Sequence, residues 1–298
     1  MAKFPLSGPI VGVEMSPAWI RGAVVDASAS GLGVRAALEI PRESDARSPS
    51  IAEVLRLIQG FERQGVLMRD VVLGVPPEEL SSAVLELPPR SSGAPIEQLA
   101  RAELEQGNGG PIEIAAWDLP DGPRTRSHEY IVVGLGYETA NELIAPFEHN
   151  GVRVVAIEPA ASAIGRATGS GRRLVIDFGM KSARMYAYDG LDVLFLRTIQ
   201  WDGLQADIDR VFRGIDNNIE YLVGRFMGLE DASIILVDEN PALPALGELI
   251  KSEYETEISF GVTGFANGPF GLSLSELGCR WAMPLGLALW RMAEGVAA

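Results

Sequence analysis

Two acidic residues stand where apolar strands end and turns begin. Asp177 closes the run Leu174–Ile176 and is followed by Phe178-Gly179, Lys181 and a return strand of alternating character from Arg184 to Tyr188. Glu14 closes the run that starts at Ile10 and is followed by Met15-Ser16-Pro17 and a return strand reaching Asp26. The two acids lie 163 residues apart, so the chain reads as one hairpin used twice, once in each half. Such a turn offers two chemistries. Its backbone N–H groups form an anion-binding concavity, closest where glycine lets the backbone approach, and its carboxylate suits a hydrated divalent cation.

Other catalytic groupings are thin. His128 falls in a polar stretch and His149 near a predicted helix end, where it can serve the last carbonyls; neither has the Ser, Cys or acid context of a triad or metal site. Gly107–Gly110 lacks the preceding strand and following Lys-Ser of a phosphate cradle. Trp201 reads as core, and Ser170–Arg173 as a connection with solvated charge. The single cysteine, Cys279, excludes an internal disulfide framework and fits a reducing compartment.

Hydrophobic residues at 47% and charged ones at 22% mark an ordinary globular chain, and 298 residues suffice for two lobes. A formal charge of −15 argues against nucleic acid or anionic membrane as direct partners; a basic peptide is the better electrostatic match, and simple solubility explains the charge more readily. No apolar run reaches the roughly 18–20 residues that span a bilayer, and MAKFPLSGPIVG lacks a signal-peptide pattern. The expectation is a cytoplasmic protein linked to the membrane through a partner, without insertion of its own.

The elements that must position the turns follow in order. After the first hairpin and a strand over Leu32–Ile40, Ser50 and Glu53 form a capping box for a helix. Its apolar residues Ile51, Val54, Leu55, Ile58 and Phe61 recur with helical period. Val71–Val75 is a continuous apolar run of parallel-sheet type, stopped by Pro76-Pro77. An α+β insertion follows: strand Ala83–Leu87, helix Ile96–Gln106, strands Ile112–Trp117 and Tyr130–Leu135, helix Glu138–Asn150 and strand Val152–Ile157. The closing helix, Cys279–Glu294, is expected to pack on the first lobe, with Pro284 as a kink.

The paired hairpins resemble those of the actin-like ATPase superfamily. The order VVLGVPPEELSSAVLELPP, PIEQLARAELEQ, IVVGLGYETANELIAPFEHNGVRVVAIEPAASAIGRA and LVIDFGMKSARMYAYDG resembles the PilM-like family of type IV pilus assembly proteins, relatives of FtsA. The resemblance implies an α/β, actin-like (ribonuclease H-like) two-lobed fold with an FtsA/PilM-type insertion and a reduced helical subdomain in the second lobe. The implied boundaries are 1–76 for the first lobe, 77–158 for the insertion and 159–171 for the interlobe connection. The second lobe takes 172–278, and the closing helix 279–298. In that superfamily the hairpins are phosphate loops facing each other across a cleft.

The nucleotide site that the resemblance implies is degraded at several positions. Asp177 and Gly179 keep the Asp-x-Gly pattern of the phosphate turn. Glu14 and Ser16 do not: Ser16 replaces glycine, Pro17 removes an amide donor, and Trp19 adds bulk. Arg21, where the family often has Lys or Thr, reads as solvent-facing. Lys181 is placed either to meet a phosphate or to pair with Glu14. Asp238, Glu239 and Asn240 replace the glycines of the adenine loop, where acids facing inward would repel phosphate; capping of the next helix is the structural alternative. The segment Leu204–Arg210 is short for the part of the second lobe that covers adenosine.

The resulting expectation is a pseudo-ATPase scaffold with no cofactor, ATP and Mg²⁺ being disfavoured. By resemblance it would bind the N-terminal peptide of a PilN-like bitopic inner-membrane protein in a groove beside the insertion, in a pilus or type II-like secretion platform. Candidate contacts are Val75, Pro76, Leu85, Leu87, Leu99 and Glu103, with strand addition as one mode. The alternative is a working Mg-ATPase or sugar-kinase-like enzyme using Asp177 and Glu14. An FtsA-like polymer or other homo-oligomer is the third reading.

Overall fold

The computed structural model describes residues 9–28, 31–108, 110–120, 128–179, 182–200, 208–237, 243–254, 258–260, 262, 265–266 and 279–291. The chain opens with strands β1 (Ile10–Met15), β2 (Trp19–Ser28) and β3 (Gly31–Pro41), helix α1 (Ile51–Arg63) and strand β4 (Asp70–Val75). Strand β5 (Ser81–Leu87), helix α2 (Ile96–Asn108) and strands β6 (Ile112–Asp118) and β7 (His128–Gly136) come next, then helix α3 (Tyr137–His149), strand β8 (Arg153–Pro159) and helix α4 (Ala160–Ala167). The second half carries β9 (Arg173–Phe178), β10 (Ser182–Asp189), β11 (Asp192–Gln200), α5 (Ile208–Arg225), β12 (Ser233–Val237), α6 (Leu243–Tyr254) and β13 (Ile258–Phe260). The short strand β14 (Phe265–Ala266) and helix α7 (Ala282–Ala288) complete it. No helix of the described residues is long and apolar enough to cross a membrane.

Two compact units result. The first takes Met1–Val75, Tyr137–Ala167 and Val262–Ala298; the second takes Pro76–Gly136 and Thr168–Gly261. The first unit's sheet has the order β14-β3-β2-β1-β4-β8, antiparallel from β3 to β1 and parallel from β1 to β8. The second unit's main sheet runs β11-β10-β9-β12-β13, again antiparallel across the hairpin strands and parallel beyond. Strands β9 to β12 thus repeat the order of β1 to β4, and the duplicated hairpin is the opening of each sheet. A separate antiparallel sheet, β5-β7-β6, carries α2 on one face through Ile96, Ala100, Leu104, Tyr130 and Val132.

The insertion is shorter than its sequence outline. Residues 137–158 were expected within it, but β8 pairs in parallel with β4, from Asp70 opposite Arg153 to Val75 opposite Pro159. Arg153 bonds the buried Asp70 carboxylate at 2.8 Å and pins that register. The second lobe likewise ends early, because β14 pairs with β3 of the first sheet. At the C-terminus Cys279–Trp281 is a 3₁₀ turn, and Pro284 sits in the first turn of α7, where it costs no helix hydrogen bond and makes no kink.

Helix α1 starts where the capping box places it: Ser50 Oγ accepts from Glu53 N–H, and the Glu53 carboxylate accepts from Ser50 N–H. Val54 and Phe61 are buried as expected, but the face extends to the other side of them: Ile51 is 46% exposed and Leu55 is exposed as well, while Leu57 and Gly60 are buried. Gly60 sets that face, since a Cβ there would lie 2.1 Å from Leu38.

Helix α7 packs directly on β1 and α4. A Cβ on Gly12 would stand 2.2 Å from the Pro284 carbonyl oxygen, and one on Gly286 would stand 1.8 Å from that of Ala163. Gly286→Ala is therefore expected to destabilise the fold by about 2–3 kcal/mol in urea unfolding, since the obstacle is backbone. Gly107→Ala, with open space around it in α2, should be neutral or slightly stabilising. Equal losses from both would contradict this packing.

Candidate functional site

Antiparallel register sets each strand-end acid opposite an arginine seven residues later. Glu14 pairs with Arg21 across β1 and β2, and Asp177 with Arg184 across β9 and β10. In the second hairpin Arg184 Nη1 donates to Asp177 Oδ2 at 2.9 Å, and Nε lies 2.9 and 3.1 Å from the two oxygens of Glu78. Glu78 arrives on the 3₁₀ turn Pro77–Glu79, which follows Pro76. Ser182 Oγ donates to the same carboxylate at 2.7 Å. The carboxylate that sequence assigned to a cation thus already holds one, built into the chain.

The first hairpin repeats the device with different partners. Arg21 Nε donates to Glu39 Oε2 at 2.7 Å, and its Nη1 lies 3.7 Å from Glu14 Oε2. Arg21 is only 7% exposed, which corrects its solvent-facing assignment. The reason is the pleat: position 21 faces position 14 across the ladder, on the side where Glu39 and Arg280 also converge.

The turn amides are committed as well. Ser16 N–H donates to the Trp19 carbonyl at 2.9 Å, and Gly179 N–H to the Ser182 carbonyl at 2.9 Å, the same three-residue closure in both hairpins. In the first turn, Trp19 N–H donates to Ser16 Oγ at 3.0 Å and Pro17 has no N–H, so among residues 16–19 only Ala18 keeps an amide outside this closure. Arg42 buttresses the turn by donating to the Ser16 carbonyl at 3.0 Å, and its Nε lies 3.2 Å from the buried Glu53. Gly179 also departs from expectation. Its φ lies outside the left-handed region, and a Cβ would come 3.4 Å from the Arg184 guanidinium. The nearer obstacle is backbone, the Ser182 carbonyl oxygen at 3.3 Å, which accepts the Gly179 N–H in the turn closure.

Burial works against the charge on Arg184, but Asp177 and Glu78 more than offset it and raise its pKa well above the ordinary value. Burial likewise pushes the Glu78 carboxyl up, and the Arg184 charge with hydrogen bonds from Ser182 and Arg184 brings it below the usual carboxylate range. The cluster is an acid–arginine–acid bridge suited to structure, with two carboxylates sharing one guanidinium. Among the described residues no group of three His, Cys, Asp or Glu is arranged to hold a metal.

Lys181, Asp238, Glu239 and Asn240 lie outside the described residues, and so does the proposed Lys181 partner of Glu14. Of the partner-binding candidates, Val75 is 1% exposed within β4. Leu85 and Leu87 pack beneath α2, because odd positions of β5 face the helix. Pro76 is half-buried, and Leu99 and Glu103 remain on the outer face of α2. His128 opens β7, with Nε2 3.1 Å from Asp118. Glu78 and Arg184 were missed as functional residues. A lone arginine in the apolar strand SARMYAY was the available signal for one; nothing in the sequence links Glu78 to it.

No family model and no curated protein matches the chain. Solved structures do. A PilM–PilN type IV pilus biogenesis complex matches with a TM-score of 0.73 at 15% identity, covering 94% of this chain and 98% of that one. The cytoplasmic domain of EpsL, an inner-membrane component of the Vibrio cholerae type II secretion system, matches with a TM-score of 0.51 at 15% identity over 97% and 95%. A Bacteroides thetaiotaomicron protein described as having an actin-like ATPase fold matches with a TM-score of 0.50 at 9% identity over 85% and 90%. The fold is therefore actin-like, as the sequence resemblance implied.

The bridge sets the sign of two measurements made without added nucleotide or metal. Asp177→Asn is expected to destabilise the second unit by removing the charge-assisted bond from Arg184 Nη1, and Arg184→Met to cost roughly 3 kcal/mol, because it leaves Asp177 and Glu78 without their cation. An acid kept waiting for an absent cation would behave oppositely, and its removal would stabilise. Because the Glu78 pKa is depressed, its stabilisation is fully present above the usual carboxylate range and is lost as pH falls through the folded-state value. Glu78→Gln should flatten that acid limb in pH-dependent unfolding.

Proposed function

We propose that this chain is a non-catalytic actin-fold docking protein of a type IV pilus or type II-like secretion platform at the inner membrane. In this reading it works in the cytoplasm and binds the N-terminal tail of a PilN-like membrane protein without turnover. The observation that carries the non-catalytic part is the arginine set opposite each strand-end acid. A hydrated Mg²⁺ needs those carboxylates, and adding a dication beside a fixed guanidinium is opposed by roughly 4 kcal/mol per pair of unit charges at 4 Å and intermediate dielectric. A triphosphate needs the turn amides, and most of those in the first turn close the turn itself. In this reading the described residues of the two turns do not fit Mg-ATP.

The platform part is supported by likeness in fold to structures named for pilus biogenesis and type II secretion, together with a sequence order that resembles the PilM-like family. A docking protein needs only the scaffold of the fold, and the ion bridges hold that scaffold without a ligand.

Two experiments test the two parts separately. Millimolar Mg-ATP is expected to leave the melting temperature unchanged, whereas a ligand at a hundredfold its dissociation constant would add about 2.7 kcal/mol. An N-terminal peptide from a bitopic protein encoded beside this chain is expected to bind at micromolar concentration. No binding of any such peptide at high micromolar concentration would overturn the platform reading.

A further inference from the structure

The second unit holds a groove of about 450 Å³. One wall is the face of β5 and β7 turned away from α2; the other is β11 and α5. Val84, Ile131, Phe195 and Tyr221 line it, and Arg225 bonds Glu129 at its margin. Phe195 and Tyr221 stand with ring centroids 6.1 Å apart. Val84 is 58% exposed and Tyr221 51%, so two large apolar side chains of one groove face water.

Charge makes the groove selective. From the sequence, the second unit carries 26 acidic and 13 basic residues, a net −13, whereas the first carries 14 and 12, a net −2. Beside the groove Glu86 stands directly opposite Glu129 in the β5–β7 register. Like charges placed directly opposite across a ladder destabilise a sheet. Glu129 is answered by Arg225, while the exposed Glu86 carboxylate meets no cation among the described residues. Glu86 lies on the same outward face as Val84, two residues along. An apolar anchor point and an unanswered carboxylate are thus one strand repeat apart.

We infer that this groove binds a basic peptide segment with an apolar anchor, seating a bulky aliphatic or aromatic side chain against Val84, Phe195 and Tyr221 and a Lys or Arg against Glu86. The inference rests on the docking reading above and gives it a place and a ligand chemistry. The net −13 of the unit steers a cationic segment toward it, and the groove fixes where it stops.

The test uses the full chain and a fluorescein-labelled peptide carrying Leu and Arg spaced by Gly and Ser, with a Glu-for-Arg version as comparison. Fluorescence anisotropy at low salt is expected to show the Arg peptide binding more tightly, by about tenfold or more. Glu86→Lys and Val84→Lys should each weaken it about tenfold, while Glu248→Lys, the same charge change on the exposed side of α6 in the same unit and outside the groove, should have little effect. Glu86→Lys should also raise the melting temperature by removing the like-charge pair, so its binding loss is not a folding loss. Binding insensitive to both groove variants, equal loss in Glu248→Lys, or equal affinity for the Glu peptide would each overturn the inference. A platform tail that fails to bind while the Arg peptide still obeys this pattern would instead reject only the platform reading.

Discussion

The guanidinium of Arg184, held between Asp177 and Glu78, is the constraint on which the second unit depends. A buried strand-end carboxylate must be neutralised, by a proton, a bound cation or a side chain of opposite charge. Here the chain supplies the side chain. Glu78 takes the Nε donor of the guanidinium and brings the turn after Pro76 onto the hairpin, so one bridge sets both the electrostatics of the site and the attachment of the insertion's first turn.

The first unit reaches the same result with other residues. Glu14 faces Arg21 as Asp177 faces Arg184, and each turn closes by an N–H donated three residues ahead. The matching strand orders of the two sheets give both hairpins the same local geometry, so an arginine seven residues after the acid lands opposite it in either half. What differs is the outer partner, Glu39 in one and Glu78 in the other. In the proposed function, two turns of nucleotide-binding type have become self-contained ion bridges, and the fold is retained as a surface for a partner.

Much of this was legible in the sequence. The hairpin pair, the capping box at Ser50 and Glu53 and the fully buried β4 were all visible as local patterns, and the comparisons bear out the fold class. Faces and long-range partners were not. Alternation along β5 separates residues 83, 85 and 87 from 82, 84 and 86, but either set could face the helix; only the packing of α2 decides it. Strand β8 carries the same apolar run whether it belongs to an insertion or lies beside β4. The partnership of Glu78 with Arg184 spans 106 residues and leaves no local trace.

The central claim is that Asp177 is spent on Arg184. Its most direct measurement is the Nη–H signal of Arg184 by NMR, since Nη1 is the donor to Asp177, while Mg²⁺ and ATP are added to millimolar concentration. The account predicts a slowly exchanging signal that keeps its position throughout, because the bridge leaves no opening for the ligand. A saturable shift of that signal, or its loss to fast exchange as nucleotide and metal enter, would contradict it.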